Sequence, residues 1–288
     1  MVNQNYNNID DYGKVTICGK SFKFLFCKAF TIAPHSGKRK NNPPTEESLL
    51  ASRKKTIRRM TDLINCNVGE WKKENGKKFP SVFLTLTFNE DIKDLKTANR
   101  IFSEFMQNYN YRIFKKKEKI LQYITVPEFQ PISGRIHYHC LIFNLPYSNK
   151  NYDIARDVWG HGFIWMKAVY KGTPNNLAKY MSKYLIKALD DPRLFRKRKY
   201  FPSAKILKPI ISNDCYVANH ILQAVVSTRP ENKVRKYQKT LDFIGDSDIY
   251  YSQLEWNEEL SDLLPELDPY TRNVLQLEIN KKEDNLKL

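Results

Sequence analysis

A chain of 288 residues can bury a sizeable core, as one large domain or one domain with appendages. No apolar run approaches the ~20 residues of a membrane span, and the polar, Asn-rich start does not read as a signal peptide. The five cysteines (Cys18, Cys27, Cys66, Cys140, Cys215) are scattered and form no CxxC pair, so neither a disulfide framework nor a zinc ribbon is suggested and a reducing cytoplasm fits best.

The net charge of +17 asks for a polyanionic partner, of which nucleic acid is the usual one. That charge is uneven. Residues 241–288 carry four Lys/Arg against twelve Asp/Glu, a net of −8, which leaves +25 on residues 1–240. A basic working body is thereby set apart from an acidic tail. Seventeen tyrosines and sixteen phenylalanines offer stacking platforms for unpaired bases.

Residues 1–80 read as an N-terminal extension. Val15–Phe30 has the β-prone runs of a hairpin turning at Gly19-Lys20. The Gly13…Gly19-Lys20-Ser21 spacing has one residue too many for a phosphate loop and leaves no room for a preceding strand, so no nucleotide site is assigned there. Lys38–Pro44 is a basic linker. Glu46–Ile64 is a helix with Thr45 as N-cap, and its Arg53, Lys54, Lys55, Arg58 and Arg59 suit phosphates or simply a solvated face.

Residues 81–192 form the expected core. Ser81–Phe88 alternates as a strand, Asn89–Asp91 signals a helix start, and an apolar stripe from Ile92 to Phe114 follows. Ile120–Val126 is a second strand, ended by Pro127-Glu128. A loop through Gly134 joins it to a third strand in GRIHYHCLIFNL, Gly134–Leu145. Asp153–Trp159 is a short helix ended by Gly160, Phe163–Tyr170 a strand, and Thr173-Pro174 opens a helix over Asn175–Leu189. The order β-α-β-β-α-β-α predicts an α+β domain: an antiparallel sheet with helices packed on one face and the other left to ligand. Residues 193–240 are a basic segment, and 241–288 an acidic C-terminal tail.

The chemistry gathers on the open face. In a strand, positions i and i+2 project together, so His137 and His139 share a side and Tyr138 points away. An ordinary strand with two solvated histidines has the same pattern; what distinguishes this one is its company. Glu128 lies across the hairpin or near it, and the three side chains suit a hard divalent cation that polarises a phosphate. Tyr180 and Tyr184 sit one helical turn apart, with Lys179, Lys183 and Lys187 along a neighbouring edge. A tyrosine oxygen could attack phosphorus, leaving a phosphotyrosine and a free 3′-hydroxyl, and a second tyrosine could attack a second phosphate. Lys183 suits a point cation beside the reacting phosphate. Lys179, Lys187, Arg193, Arg196, Lys197, Arg198 and Lys199 are candidate DNA contacts.

FLTLTF (Phe83–Phe88), HYH (His137–His139) and YMSKY (Tyr180–Tyr184) resemble, in the same order, the three motifs of the HUH-endonuclease rolling-circle replication initiators. The two-tyrosine form with an intervening lysine is similar to the initiators of microviruses and related phage and plasmid proteins, over roughly Arg53–Pro230. This resemblance implies a Mg²⁺- or Mn²⁺-dependent nickase that cuts one strand at an origin and becomes joined to the 5′ end. It places the metal on His137, His139 and Glu128, the nucleophiles on Tyr180 and Tyr184, and the motif lysine on Lys183. It also implies work in a bacterial host cytoplasm with a host helicase, since no helicase motor is visible. Relaxases differ, because their tyrosine precedes the histidines. A single-strand transposase of the same chemistry and a non-catalytic single-strand-binding protein are the alternative readings.

Overall fold

The computed structural model describes residues 11–28, 45–170, 174–228, 235–240, 248–255 and 260–286. In chain order the elements are β1 (Asp11–Cys18), β2 (Ser21–Lys28), α1 (Glu46–Asn67), β3 (Ser81–Thr87), α2 (Leu95–Phe114), β4 (Tyr123–Phe129) and β5 (Ile136–Ile142). Then come α3 (Asn149–Trp159), β6 (Ile164–Val169), α4 (Pro174–Asp190), β7 (Phe201–Pro202), β8 (Ile210–Ser212), α5 (Cys215–Thr228), β9 (Arg235–Thr240), β10 (Asp248–Glu255) and α6 (Pro269–Leu286). The chain is α+β and divides into two compact units, Glu46–Leu207 and the described residues of Met1–Thr45 with Lys208–Lys287. Segment limits read from charge (1–80, 81–192, 193–240, 241–288) do not coincide with limits set by packing. The expected linker Lys38–Pro44, the cap Thr173, and His35 lie outside the described residues. None of the described helices is long and apolar enough to cross a membrane.

The unit Glu46–Leu207 is built on an antiparallel sheet of order β6-β3-β5-β4-β7. Its β-α-β-β-α-β-α order is the expected one. Strand alternation assigns the faces. Val82, Leu84 and Leu86 of β3 and Tyr138, Cys140 and Ile142 of β5 are buried on the side taken by α2 and α3. There Phe102 stacks on Tyr138 at 4.5 Å, and Trp159 meets Phe88 and Phe105 at 4.9 and 5.5 Å. Helix α2 starts where the Asp94 carboxylate accepts from Thr97 N–H at 2.7 Å, and ends at Lys115, left-handed at φ 56°. Helix α4 crosses the opposite face and packs against β4 and β5, with α1 on its outer side. Arg53 of α1 forms a bidentate ion pair with Asp190 at the end of α4, so this arginine is spent on the scaffold.

Two boundaries differ from the sequence reading. Strand β4 does not stop at Pro127 but runs through Glu128 to Phe129. Its outer edge is paired to β7 only at Ile124 and Thr125, so Pro127 stands where a missing N–H breaks no ladder bond. Helix α3 begins four residues earlier than expected, at Asn149, because Ser148 caps it by accepting from Asn151 N–H at 3.2 Å. Its first turn is polar and gives no apolar period to read. The tight passage at Gly162 (φ 146°) requires glycine, since a Cβ there would lie 2.4 Å from the Thr87 carbonyl oxygen.

The second unit holds an antiparallel sheet of order β8-β1-β2-β10-β9. The expected hairpin is present as β1–β2, turning at Gly19-Lys20. Val15, Ile17, Phe22, Phe24 and Phe26 pack against Val217, Ile221 and Val225 of α5. The acidic C-terminal stretch supplies β10 and α6 to this unit, and Leu254, Leu263, Leu267, Leu275 and Ile279 join its core.

Candidate active site

Sheet register, unreadable in a single sequence, decides the site. On β4 and β5, Glu128 pairs with His137 and Val126 with His139; on β3, Thr85 pairs with His139 and Thr87 with His137. All these positions face α4. The two histidine rings lie 6.4 Å apart, centroid to centroid. His139 Nε2 is 2.7 Å from Glu128 Oε2, while its Nδ1 is 3.3 Å from Thr85 Oγ1. The other Glu128 oxygen accepts from Lys187 Nζ at 2.7 Å. Burial would raise the Glu128 pKa, but hydrogen bonds and charge from His139 and Lys187 outweigh it and hold the carboxyl at about 2. Burial, with the neighbouring His139, lowers His137 and keeps its imidazole neutral and able to ligate.

Helix α4 delivers both tyrosines to this group. The Tyr184 ring stacks on His139 with centroids 3.7 Å apart and 16° between planes. Its hydroxyl donates to the Tyr180 oxygen at 2.7 Å, and the Tyr180 ring rests on Phe83 at 4.6 Å. Buried Leu177, Ala178, Met181, Leu185 and Ala188 hold the rest of the helix, so the two phenols are half-buried and face the histidines instead of the core. Burial first, then donation to Tyr180, raises the Tyr184 pKa well above that of a free phenol.

The lysines divide. Lys187 belongs to the group, bonded to Glu128 with its ammonium 5.8 Å from the Tyr184 ring centroid. Lys183 and Lys179 are exposed along the same helix. In the basic segment, Arg193 pairs with Asp191 at 2.6 Å and lies 4.1 Å over Phe129, and Lys199 donates to the Leu194 carbonyl at 2.5 Å. Those two brace the segment, while Arg196, Lys197 and Arg198 are exposed cations. His161 sits in the turn beside Glu90, with 3.7 Å between them.

Residues 81–189 match the family model of replication-associated proteins of the ORF2 type. The match supports a rolling-circle replication initiator. It starts at the first residue of β3 and ends one residue before the end of α4, so it takes in His137, His139, Glu128, Tyr180 and Tyr184 together. It is narrower than the Arg53–Pro230 span of the motif resemblance. Comparison with curated proteins and with solved structures gives no match.

The donor types within the matched segment fit a hard divalent cation. His137 Nε2 is buried without a hydrogen-bond partner, the state expected of a nitrogen reserved for a ligand. The 2.7 Å between His139 Nε2 and Glu128 Oε2 is close to the spacing of adjacent ligands around a small ion at ~2.1 Å. Among the described residues, however, no three His, Cys, Asp or Glu side chains converge on one point as placed. The physical reason is Lys187, which holds one oxygen of Glu128 in an ion pair. Thr85, Phe83 and the contact of Lys187 with Glu128 were missed by sequence reasoning. Thr85 and Phe83 lie in the FLTLTF motif, so position alone marked them, but their partners depend on register.

Proposed function

We propose that this protein initiates rolling-circle replication by nicking one DNA strand through a tyrosine on α4. The observation that carries the reading is the stacking of Tyr184 on His139 with its hydroxyl bonded to Tyr180. Two nucleophiles are thereby held over the two histidines and the carboxylate. A phenol oxygen attacks phosphorus; the new bond is O–P to tyrosine, and the bond that breaks is P–O3′. The phenol proton leaves, and the departing 3′-oxygen takes one up. The strand is left with a free 3′-hydroxyl and a 5′ phosphate on the protein, and attack by that hydroxyl reverses the link. Holding phenol and phosphate on one rigid face removes much of the entropic cost of their encounter.

A donor to Tyr180 favours negative charge on that oxygen over its neighbour, so Tyr180 attacks first and Tyr184 serves the second transfer. Lys183, exposed one residue before Tyr184, offers a point cation to the phosphate. His137, His139 and Glu128 would hold Mg²⁺ or Mn²⁺, which supplies Lewis-acid polarisation of the phosphate oxygens. The partners that follow are single-stranded origin DNA and a host helicase in a bacterial cytoplasm.

The test is a denaturation-resistant adduct. Incubation with a 3′-fluorescein-labelled single-stranded library in Mn²⁺ should leave label on the protein, and EDTA should abolish it. The double substitution Tyr180→Phe with Tyr184→Phe should remove the adduct entirely, and Tyr180→Phe alone should reduce the first cut more than Tyr184→Phe. An adduct formed by the double variant overturns the nucleophile assignment. Salt-sensitive binding with no adduct in Mn²⁺ overturns catalysis and leaves a binding protein.

A further inference from the structure

The opposite side of the same sheet carries a feature that the catalytic reading does not use. Alternation along β4 sends Ile124, Val126 and Glu128 toward α4 and Tyr123 toward α2. Beside Tyr123 opens a cleft of about 680 Å³ between the second half of α2, the Lys117–Leu121 segment and Pro202–Ala204. Tyr111, Tyr123, Gln107, Lys117, Lys119 and Ser203 line it. Its size is that of a pocket for a molecule of nucleotide scale.

The cleft is held in shape without a ligand. Asn110, 5% exposed, donates to the carbonyls of Lys116 and Glu118 and accepts from the N–H groups of Ile120 and Leu121. One side chain thus pins the lysine segment to α2 through four bonds, and Lys117 and Lys119 are exposed on a fixed rim. The other wall is fixed in the same manner. Ser203 Oγ accepts from Tyr123 N–H at 3.0 Å and donates to Gln122 at 2.8 Å, while Ser203 N–H reaches the Tyr123 carbonyl at 2.9 Å. Tyr111 is 50% exposed at the mouth, a large ring facing water with cations beside it. Ring faces, an amide and two ammonium groups in one cleft are the chemistry that recognises a phosphorylated nucleobase.

We propose that this cleft binds a nucleotide of the same single strand that is cut on the α4 face, a reading that rests on the function proposed above. A path joins the two. The basic segment starts at Arg193 over Phe129, next to Glu128, and passes the exposed Arg196, Lys197 and Arg198 before entering β7 and Ser203 at the cleft. Along β4 the distance from Glu128 to Tyr123 is five residues, about 17 Å. The strand leaves the phosphotyrosine position, crosses the sheet edge at β7 along these arginines, and seats a base against Tyr111 and Tyr123. A free mononucleotide has the same chemistry, so the experiment must separate the two sources.

The doubly substituted Tyr180→Phe, Tyr184→Phe protein is used in EDTA, so that neither metal nor chemistry contributes. An oligothymidylate carrying one 5-iodouracil is cross-linked by ultraviolet light, and the modified peptides are identified by mass spectrometry. Cross-links to Tyr111 or Tyr123 are expected. Lys117→Gln with Lys119→Gln should remove them, lower affinity about tenfold and reduce the salt slope by roughly two. An unchanged thermal midpoint would show that this variant folds. Cross-links confined to the α4 face, or affinity and salt slope untouched by the lysine pair, overturn the proposal. In a competition arm, thymidine 5′-monophosphate that fills the cleft and is not displaced by the oligonucleotide overturns it in favour of a free nucleotide. Displacement by the oligonucleotide supports it. The adduct assay fails or succeeds separately, so a binding cleft in a protein that cannot nick would be recognised as such.

Discussion

The two sides of β5 show what a single strand can be made to do. On one side Tyr138 is fully buried, stacked on Phe102, and its hydroxyl donates to Asn99 at 2.6 Å, so every polar atom is answered. On the other, His137 and His139 are half-buried and His137 Nε2 is buried without a partner. A buried polar atom left unanswered costs stability, about 1–3 kcal/mol by mutational measures. Such a cost persists where the atom is needed for something other than folding. The α2 side of the sheet is therefore scaffold, and the α4 side carries chemistry.

That division can be broken from either side. The largest effect is expected on the scaffold. Phe102→Ala removes the ring that covers Tyr138 and should cost about 3–5 kcal/mol in chemical denaturation. Adduct yield per folded molecule should stay near normal. A loss of less than 1 kcal/mol would mean that the α2 face is not the core. His137→Ala should do the reverse. Deleting an unanswered imidazole should leave the denaturation midpoint unchanged or slightly higher, while adduct formation falls at least about a hundredfold, near 2.7 kcal/mol. If stability falls and the adduct survives, His137 is a structural residue.

Thr85→Val sharpens the comparison further, because it keeps volume and removes the oxygen that lies 3.3 Å from His139 Nδ1. A partner on the second ring nitrogen fixes tautomer and ring orientation. Mn²⁺ affinity, read by water-proton relaxation, should fall about tenfold, and Thr85→Ser should restore it. Equal affinities for valine and serine variants would assign Thr85 to packing alone.

Much of this was legible in the residues. The β-α-β-β-α-β-α order, the β4–β5 hairpin and the shared side of His137 and His139 follow from periodicity of two and 3.6. So does the pairing of Tyr180 with Tyr184. What did not follow depends on register and on contacts between distant segments. Nothing local in FLTLTF indicates that Thr85 meets His139, because strand neighbours are chosen by the whole sheet. Pro127 read as a strand end, since only the early end of β7 leaves it on an open edge. The acidic stretch read as a tail because charge masks the leucines that bury themselves in the second unit.

The smallest expected effect concerns Lys187, and its sign is what informs. Its ammonium lies 2.7 Å from Glu128 Oε1 and is itself 61% exposed, so the ion pair is screened and contributes little to folding. Its consequence is local: a cation already sits on the carboxylate that a metal needs. Lys187→Met removes that competitor while keeping the aliphatic stem beside Tyr184. Mn²⁺ should then bind a few-fold more tightly in the absence of DNA, with little change in the denaturation midpoint. If instead Lys187 serves mainly to grip phosphate, the substitution leaves metal affinity unchanged and weakens strand binding with a shallower salt slope. A measurement of metal affinity alone, on DNA-free protein, separates the two roles, because only the first places lysine and metal in competition for the same oxygen.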